Sequence, residues 1–327
     1  ITIPHSLNNF YNTINILNKK VDLIVLPSES CGFIDKFIEM QYCNIFTGFK
    51  KKSNHQKINY FFTQSKYTSK YLAKKNLIKK NLISTGFLYF DYWYKKKKKL
   101  NSKKKIGIAL TNEMFIRYFN NKNFILDYKN SNDVSDYLNN FWRLNQFNMD
   151  LYYYSLIFEL IEKIPSNYEI SFRSHPLDVQ SDWAEVFTNQ KNLKVESKKN
   201  TSDWINEQDL VISTFSGISM DSYIFKKPHI SLVDMIPKQI INFKVYNSHY
   251  YNEIGDRYSL KPKNFETLLH LIKSSKYKKN IKYDKDLKKY YDYPSKVKPL
   301  EKVYTNIIKI YLESKKDFKY IVYSKIQ

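Results

Sequence analysis

The sequence predicts an α/β protein of two Rossmann-like, doubly wound domains, the first of them shortened on its N-terminal side. Three observations carry this. Short apolar runs alternate with segments of helical periodicity on both sides of a lysine-rich stretch, the pattern of parallel sheets covered by helices. The chain has 327 residues, enough for two domains that each bury a core. Hydrophobic residues make up 43% and aromatic residues 17%, too much apolar material for a disordered chain.

The opening ITIPHSLNNF reads as a strand end followed by a helix start, and it begins with Ile1 rather than Met, so part of the first domain is expected to be missing. VDLIVLPSES (21–30) is an apolar run ending in small polar residues, a strand, and Phe33, Phe37 and Met40 after it recur at helical spacing. A second unit gives a strand at 58–63, a helix capped by Ser65 and running to Lys75, and a short strand at 81–85 that closes at Gly86. Residues 94–105, YKKKKKLNSKKK, carry eight lysines and no apolar face, and read as a linker. The expected organisation is therefore 1–94 as an acceptor-side domain, 95–105 as linker, 106–282 as a nucleotide domain and 283–327 as C-terminal helices.

KIGIALTNE (105–113) restarts the alternation with a strand that breaks at Thr111 and Asn112. Residues 114–148 are aromatic and polar without a clean period, and are expected to form an insertion with short helices. A strong helix follows at 150–164, with Leu151, Tyr154, Ile157, Leu160 and Ile161 assigned to one face. Strands at 168–174, 193–197 and 210–214, with a helix at 201–208, repeat the first domain's architecture. The tail adds two amphipathic helices, NFETLLHLIKSS and PLEKVYTNIIKIYLES.

The formal net charge of +23 favours anionic partners: nucleic acids, anionic lipid head groups or phosphorylated substrates. Ile, Asn, Lys and Tyr dominate together, as AT-rich codon usage would dictate, so part of this charge is solvated surface. The lysine run has the same two readings, a linker or a basic strip against phospholipid or nucleic acid. Cys31 and Cys43 have neither CxxC spacing nor a zinc-type partner cluster, which makes a reduced cytosolic chain the default. No apolar run approaches the roughly 20 residues that span a bilayer, and no signal-peptide pattern opens the chain. Six glycines leave no room for a Walker loop or GxGxxG, and neither GxSxG nor HExxH occurs.

Two stretches carry chemistry. In doubly wound sheets, ligands bind beyond the carboxyl ends of the strands. Arg173 and His175 lie at such an end, where an Arg fork suits phosphate oxygens and Pro176 stiffens the turn; the alternative is an idle surface turn. In DLVISTFSGISMDSYIFKKPHIS, a strand leads into Thr214, Ser216 and Gly217 at a helix start, a combination suited to phosphate. Asp221, one turn in, either reaches a sugar hydroxyl or favours the helix dipole. Thr111, at the break of its strand, joins this nucleotide-binding set.

FRSHPLDVQSDW, the stretch from Asn192 to Ser231 and the stretch from Tyr60 to Trp93 together resemble bacterial surface-polysaccharide biosynthesis proteins of the GT-B glycosyltransferase type. That family includes transferases of CMP-linked acidic sugars, Kdo-like and sialic-acid-like, and the resemblance covers residues 20 to 235. It implies that Arg173, His175 and Pro176, then Thr214, Ser216, Gly217 and Asp221, line the site of a nucleotide-sugar donor. It further implies a metal-independent glycosyltransferase with no separate cofactor, its acceptor a saccharide or lipid-linked saccharide of capsule or lipopolysaccharide type. The acceptor hydroxyl would lose its proton to a side chain of the first domain, and His5 and Glu29 are the candidates. His5 equally fits an ordinary turn, and Glu29 a helix cap. The expected location is the cytoplasm, with peripheral contact at the inner face of the inner membrane.

The first-domain pattern, from Thr63 and Ser65 through Gly86 to Asp91, is shared more widely, so CDP-glycerol-type glycerophosphotransferases and nucleotide-sugar epimerases stand as alternatives. A nucleic-acid-binding protein is the alternative from another class, prompted by the charge and 29 tyrosines. Against it, the aromatics fall on apolar faces, and no RNA-recognition, zinc-finger or OB-like pattern occurs, so no specific nucleic-acid partner is expected. A non-catalytic scaffold that keeps the fold is the third.

Overall fold

A computed structural model of the chain describes residues 2–4, 23–26, 35, 38, 59–76, 78, 81–94, 104–109, 134–174, 184, 187–196, 199–214, 217–237, 258–274 and 276–314. The strands are β1 (Thr2–Pro4), β2 (Ile24–Leu26), β3 (Tyr60–Thr63), β4 (Leu82–Ser84), β5 (Lys104–Ala109), β6 (Tyr168–Arg173), β7 (Leu193–Glu196), β8 (Leu210–Ser213) and β9 (His229–Ser231). The helices are α1 (Lys66–Lys74), α2 (Val134–Lys163), α3 (Thr201–Glu207), α4 (Ile218–Ile224), α5 (Phe265–Ser274), α6 (Ile281–Tyr291) and α7 (Pro299–Ser314). The chain divides into two units, Ile1–Lys95 with Ile281–Gln327, and Lys96–Asn280.

In the first unit the sheet runs β1-β2-β3-β4, parallel throughout. Ser65 ends the strand side of the β3–α1 turn, and its Oγ accepts the Thr68 amide at 3.0 Å, the cap that the sequence predicts. Val303 and Ile310 of α7 close a core over Ile24 and Phe62. Gly86 adopts φ +90°, where a side chain would be strained, and an added Cβ would lie 3.1 Å from Pro299 Cγ. Asp292 fastens α6 to this sheet: its Oδ2 accepts from the Lys66 amide and from the Ser84 hydroxyl, each at 2.9 Å.

The second unit has a parallel sheet in the order β7-β6-β5-β8-β9. Its strands alternate, as a two-faced sheet requires. Ile106, Ile108, Ile170, Phe172, Leu210, Ile212 and Ile230 point one way, into a core shared with α2 and α5. Gly107 and Ser171 point the other way, toward α3, where Trp204 Nε1 donates to Ser171 Oγ at 2.8 Å. A Cβ at Gly107 would lie 2.7 Å from Gln208 Cγ and 2.8 Å from Trp204 Cζ2, so this glycine is required for close helix-to-sheet approach.

Three expectations need correction. The insertion with short helices expected over 114–148 is, from Val134 onward, the first half of the 30-residue helix α2. Once its C-terminal half is packed, extension adds one hydrogen bond per residue, without the clean apolar period that nucleation on a core demands. Leu151 is 40% exposed, whereas Tyr153, Tyr154, Leu156, Ile157, Leu160 and Ile161 are buried. Nine residues at about 100° each put Leu151 half a turn from Leu160, so the two cannot share a face. Finally, the tail holds a third helix, α6, beyond the two expected: its buried face is Tyr283, Leu287, Tyr290 and Tyr291, apolar spacing written mostly in tyrosine amid lysines. The helix expected around Phe33, Phe37 and Met40 is described only at Asp35 and Ile38, both helical; the other three, both cysteines and most of the lysine run lie outside the described residues.

Candidate nucleotide site

In the second unit the chain builds outward from β5 through β6 to β7, then crosses to β8 and β9 on the other side. The order reverses between β5 and β8, and loops leaving the carboxyl ends of such neighbours diverge and open a crevice. One register row runs along that edge: Glu196, Arg173, Ala109, Ser213 and Ser231. Thr214 follows β8 and is buried, and Gly217 forms the N-cap of α4 with φ −60°. Among the described residues, a Cβ at Gly217 would meet nothing within 4 Å. Asp221, in the first turn of α4, is buried. Thr111, His175, Pro176, Ser216, His5 and Glu29 lie outside the described residues.

Arg173 does more than end a strand. Its Nη1 donates to the Lys199 carbonyl at 2.7 Å and its Nη2 to Thr201 Oγ1 at 3.3 Å, with the guanidinium 5.8 Å from the Trp204 ring. Since α3 begins at Thr201, this buried guanidinium ties that helix's entry to β6. Asn200 completes the start, accepting the Asp203 amide at 2.8 Å. Lys199 turns its amine to Glu207 and, at 3.5 Å, to Glu196. The hydrogen bond to Glu207 is the main cause holding the Lys199 pKa above the usual lysine value. Lys199 is thus held through both its carbonyl and its amine by charge-assisted hydrogen bonds.

Under the β8 end lies a chain of three side chains, Ser213 and His229 buried and Ser259 half-buried. Ser213 Oγ is 2.9 Å from His229 Nε2, and His229 Nδ1 is 2.7 Å from Ser259 Oγ. Ser213 Oγ also donates to the Thr214 carbonyl at 3.1 Å. Ser213 has a single O–H, so directing it to that carbonyl makes Nε2–H of His229 the donor to Oγ and leaves Nδ1 to accept from Ser259. Burial pushes the His229 pKa down to about 3, which keeps the imidazole neutral. The ring therefore fixes the Ser213–Thr214 turn by neutral hydrogen bonds.

Sequence reasoning missed His229, Ser213 and the Glu196–Lys199–Glu207 group. KKPHIS signals only a turn into a strand, and Lys199 and Glu207 meet because a loop folds onto a helix rather than by helical spacing. Among the described residues, no group of three His, Cys, Asp or Glu converges in a way that could hold a metal ion. No described helix is long and apolar enough to cross a membrane.

No family model matches the chain, and no curated protein matches it in sequence. Solved structures do match. A variant of the wall teichoic acid polymerase TagF superposes with a TM-score of 0.50 at 15% identity, over 91% of this chain and 70% of that one. UDP-GlcNAc 2-epimerase from Methanocaldococcus jannaschii, in complex with UDP-GlcNAc and UDP, gives 0.48 at 14% identity, over 94% and 75%. Another TagF structure, soaked with CDPG, gives 0.43 at 14% identity over 81% of this chain, which spans 59% of the TagF chain's length. The likeness is one of fold: this is a mixed α/β chain of parallel sheets, like the GT-B-type enzymes it superposes on.

Proposed function

We propose that the chain is a GT-B-type transferase that binds a nucleotide-linked donor at the carboxyl edge of the second unit's sheet. It would pass the sugar to a surface polysaccharide or lipid-linked acceptor. The observation that carries this reading is the reversal of strand order between β5 and β8, with Thr214 and Gly217 leaving β8 at that point. The clearance that the described residues leave beside Gly217, and its cap position, suit close approach of a phosphate to backbone amides. Arg173 then has a positioning role, holding the neighbouring turn through the Lys199 carbonyl, while His175, Pro176, Ser216 and Thr111 remain proposed donor contacts from the sequence. His5 and Glu29 remain the proposed acceptor bases. Likeness of fold to a wall teichoic acid polymerase supports the polymer-building class and leaves a CDP-linked polyol as the rival donor.

Calorimetric titration with CMP, CDP, UDP and GDP tests the reading, on the wild type and on Gly217→Ala. Among the described residues an alanine at 217 meets no atom within 4 Å, and φ −60° suits it, so the variant is expected to keep its fold, which a melt checks, and a loss of affinity then reports the ligand. Saturable binding of one nucleotide, weakened in the variant, is expected; absence of binding by all four removes the donor-site assignment.

A further inference from the structure

Asp292 directly follows α6 but sits over the carboxyl ends of β3 and β4, which finish level with Thr63 opposite Ser84. Its Oδ2 accepts from the Ser84 hydroxyl and from the Lys66 amide in the first turn of α1, each at 2.9 Å. Two donors on one oxygen hold the carboxylate in place. Its Oδ1 meets no donor among the described residues, and the side chain is half-buried, so this second oxygen faces solvent at the strand ends. The other described acids of the first unit are committed or belong to the helices. Asp35 accepts from the phenols of Tyr67 and Tyr290. Asp91 takes the Leu300 amide on Oδ2, and its Oδ1 is buried. Asp284 and Asp286 lie within α6, and Glu301 and Glu313 within α7.

We propose that Asp292 is the base of the transfer, its Oδ1 taking the proton of the acceptor hydroxyl. This rests on the transferase reading above, and it gives Asp292 the role that the sequence assigns to His5 or Glu29. As the acceptor oxygen bonds to the transferred group, its proton passes to Oδ1. The bond from that group to the nucleotide's phosphate oxygen breaks, and the electron pair leaves on the nucleotide. Ligands of such sheets bind beyond the carboxyl ends of the strands, where this oxygen lies. The hydrogen bonds to Oδ2 set the position of Oδ1 in advance, so it meets the hydroxyl without rearrangement.

Asp292→Asn tests this. Asparagine tolerates the φ of +54° here, and its carbonyl oxygen can take both hydrogen bonds, but its amide nitrogen cannot accept a proton. Nucleotide release from CDP-glycerol, UDP-GlcNAc and CMP-sialic acid is followed on the full chain with water as acceptor, beside calorimetric nucleotide binding and thermal melts. The wild type is expected to release nucleotide from one of the three. Asp292→Asn is expected to lose about 100-fold or more in kcat, with donor KM and nucleotide affinity unchanged. Tyr290→Phe cuts the hydrogen bond from α6 to Asp35, spares Asp292 and should leave kcat unchanged. Should Asp292→Asn not fold, Ser84→Ala, which removes one donor holding the carboxylate, is expected to lower kcat about tenfold at constant KM. An equal loss in Tyr290→Phe would mark tail fastening rather than proton transfer and overturn the proposal. A folded Asp292→Asn that turns over like wild type overturns it, as does a wild type that binds nucleotide yet releases none; both leave the donor site standing. No nucleotide binding at all overturns the transferase reading and this inference with it.

Discussion

Acidification should weaken the second unit through His229. In the unfolded chain its imidazole titrates near 6.5, and in the folded chain burial holds it at about 3. Between those values the unfolded state binds the extra proton, so stability is complete above pH 6.5 and falls as pH drops through the window. The slope is about 1.4 kcal/mol per pH unit, so moving from pH 7 to pH 5 costs about 2 kcal/mol from this residue alone. Acidification acts on the whole chain, so the contribution of this one residue is read from a variant comparison. His229→Gln retains polarity without the charge; it loses hydrogen bonds to Ser213 and Ser259 and starts less stable. Urea unfolding followed by the fluorescence of buried Trp204 should show the wild-type advantage shrinking by about 2 kcal/mol between pH 7 and pH 5. A gap that stays constant across the range would refute the buried, neutral assignment.

Gly107→Ala should destabilise the second unit by about 1–3 kcal/mol in denaturant titration, because the methyl meets the rigid Trp204 ring and Gln208 inside 3 Å. Ser65→Ala should cost about 1 kcal/mol by removing the acceptor for the Thr68 amide, and Ser65→Asp should recover most of it. Arg173→Lys should not substitute for the wild type, since an ammonium cannot span the Lys199 carbonyl and Thr201 with a planar fork; faster amide hydrogen exchange at the start of α3 is the readout. Tyr67 donates to Asp35, and burial, that hydrogen bond and the carboxylate's charge push its pKa up to about 12; ultraviolet titration should find a phenol in the first unit still protonated at pH 11.

The parallel strands were legible because buried strands read as short apolar runs between turn residues, as LVIS and YFFT do. Ser65 was legible because its capping contact is local, to Thr68 three residues on. Tertiary events were not. Nothing near Arg173 in sequence announces the Lys199 carbonyl 26 residues away, and a guanidinium at a strand end reads equally as a ligand contact. Gly107 gave no signal, since its role depends on where Trp204 lands rather than on its own backbone. The tyrosine-rich face of α6 hid behind the lysines beside it, and its docking through Tyr290 to Asp35 spans 255 positions of chain.

The most direct test of the nucleotide site is the calorimetric titration of the full chain with CMP, CDP, UDP and GDP, paired with the fold-neutral Gly217→Ala substitution. The account predicts that one of the four binds saturably and that the methyl at 217 weakens it by about tenfold or more, as loss of close phosphate approach to backbone amides requires. CMP would point to an acidic sugar donor and CDP to a polyol. Binding of equal strength in the folded variant would contradict the location of the site, and no binding by any of the four would contradict its chemistry.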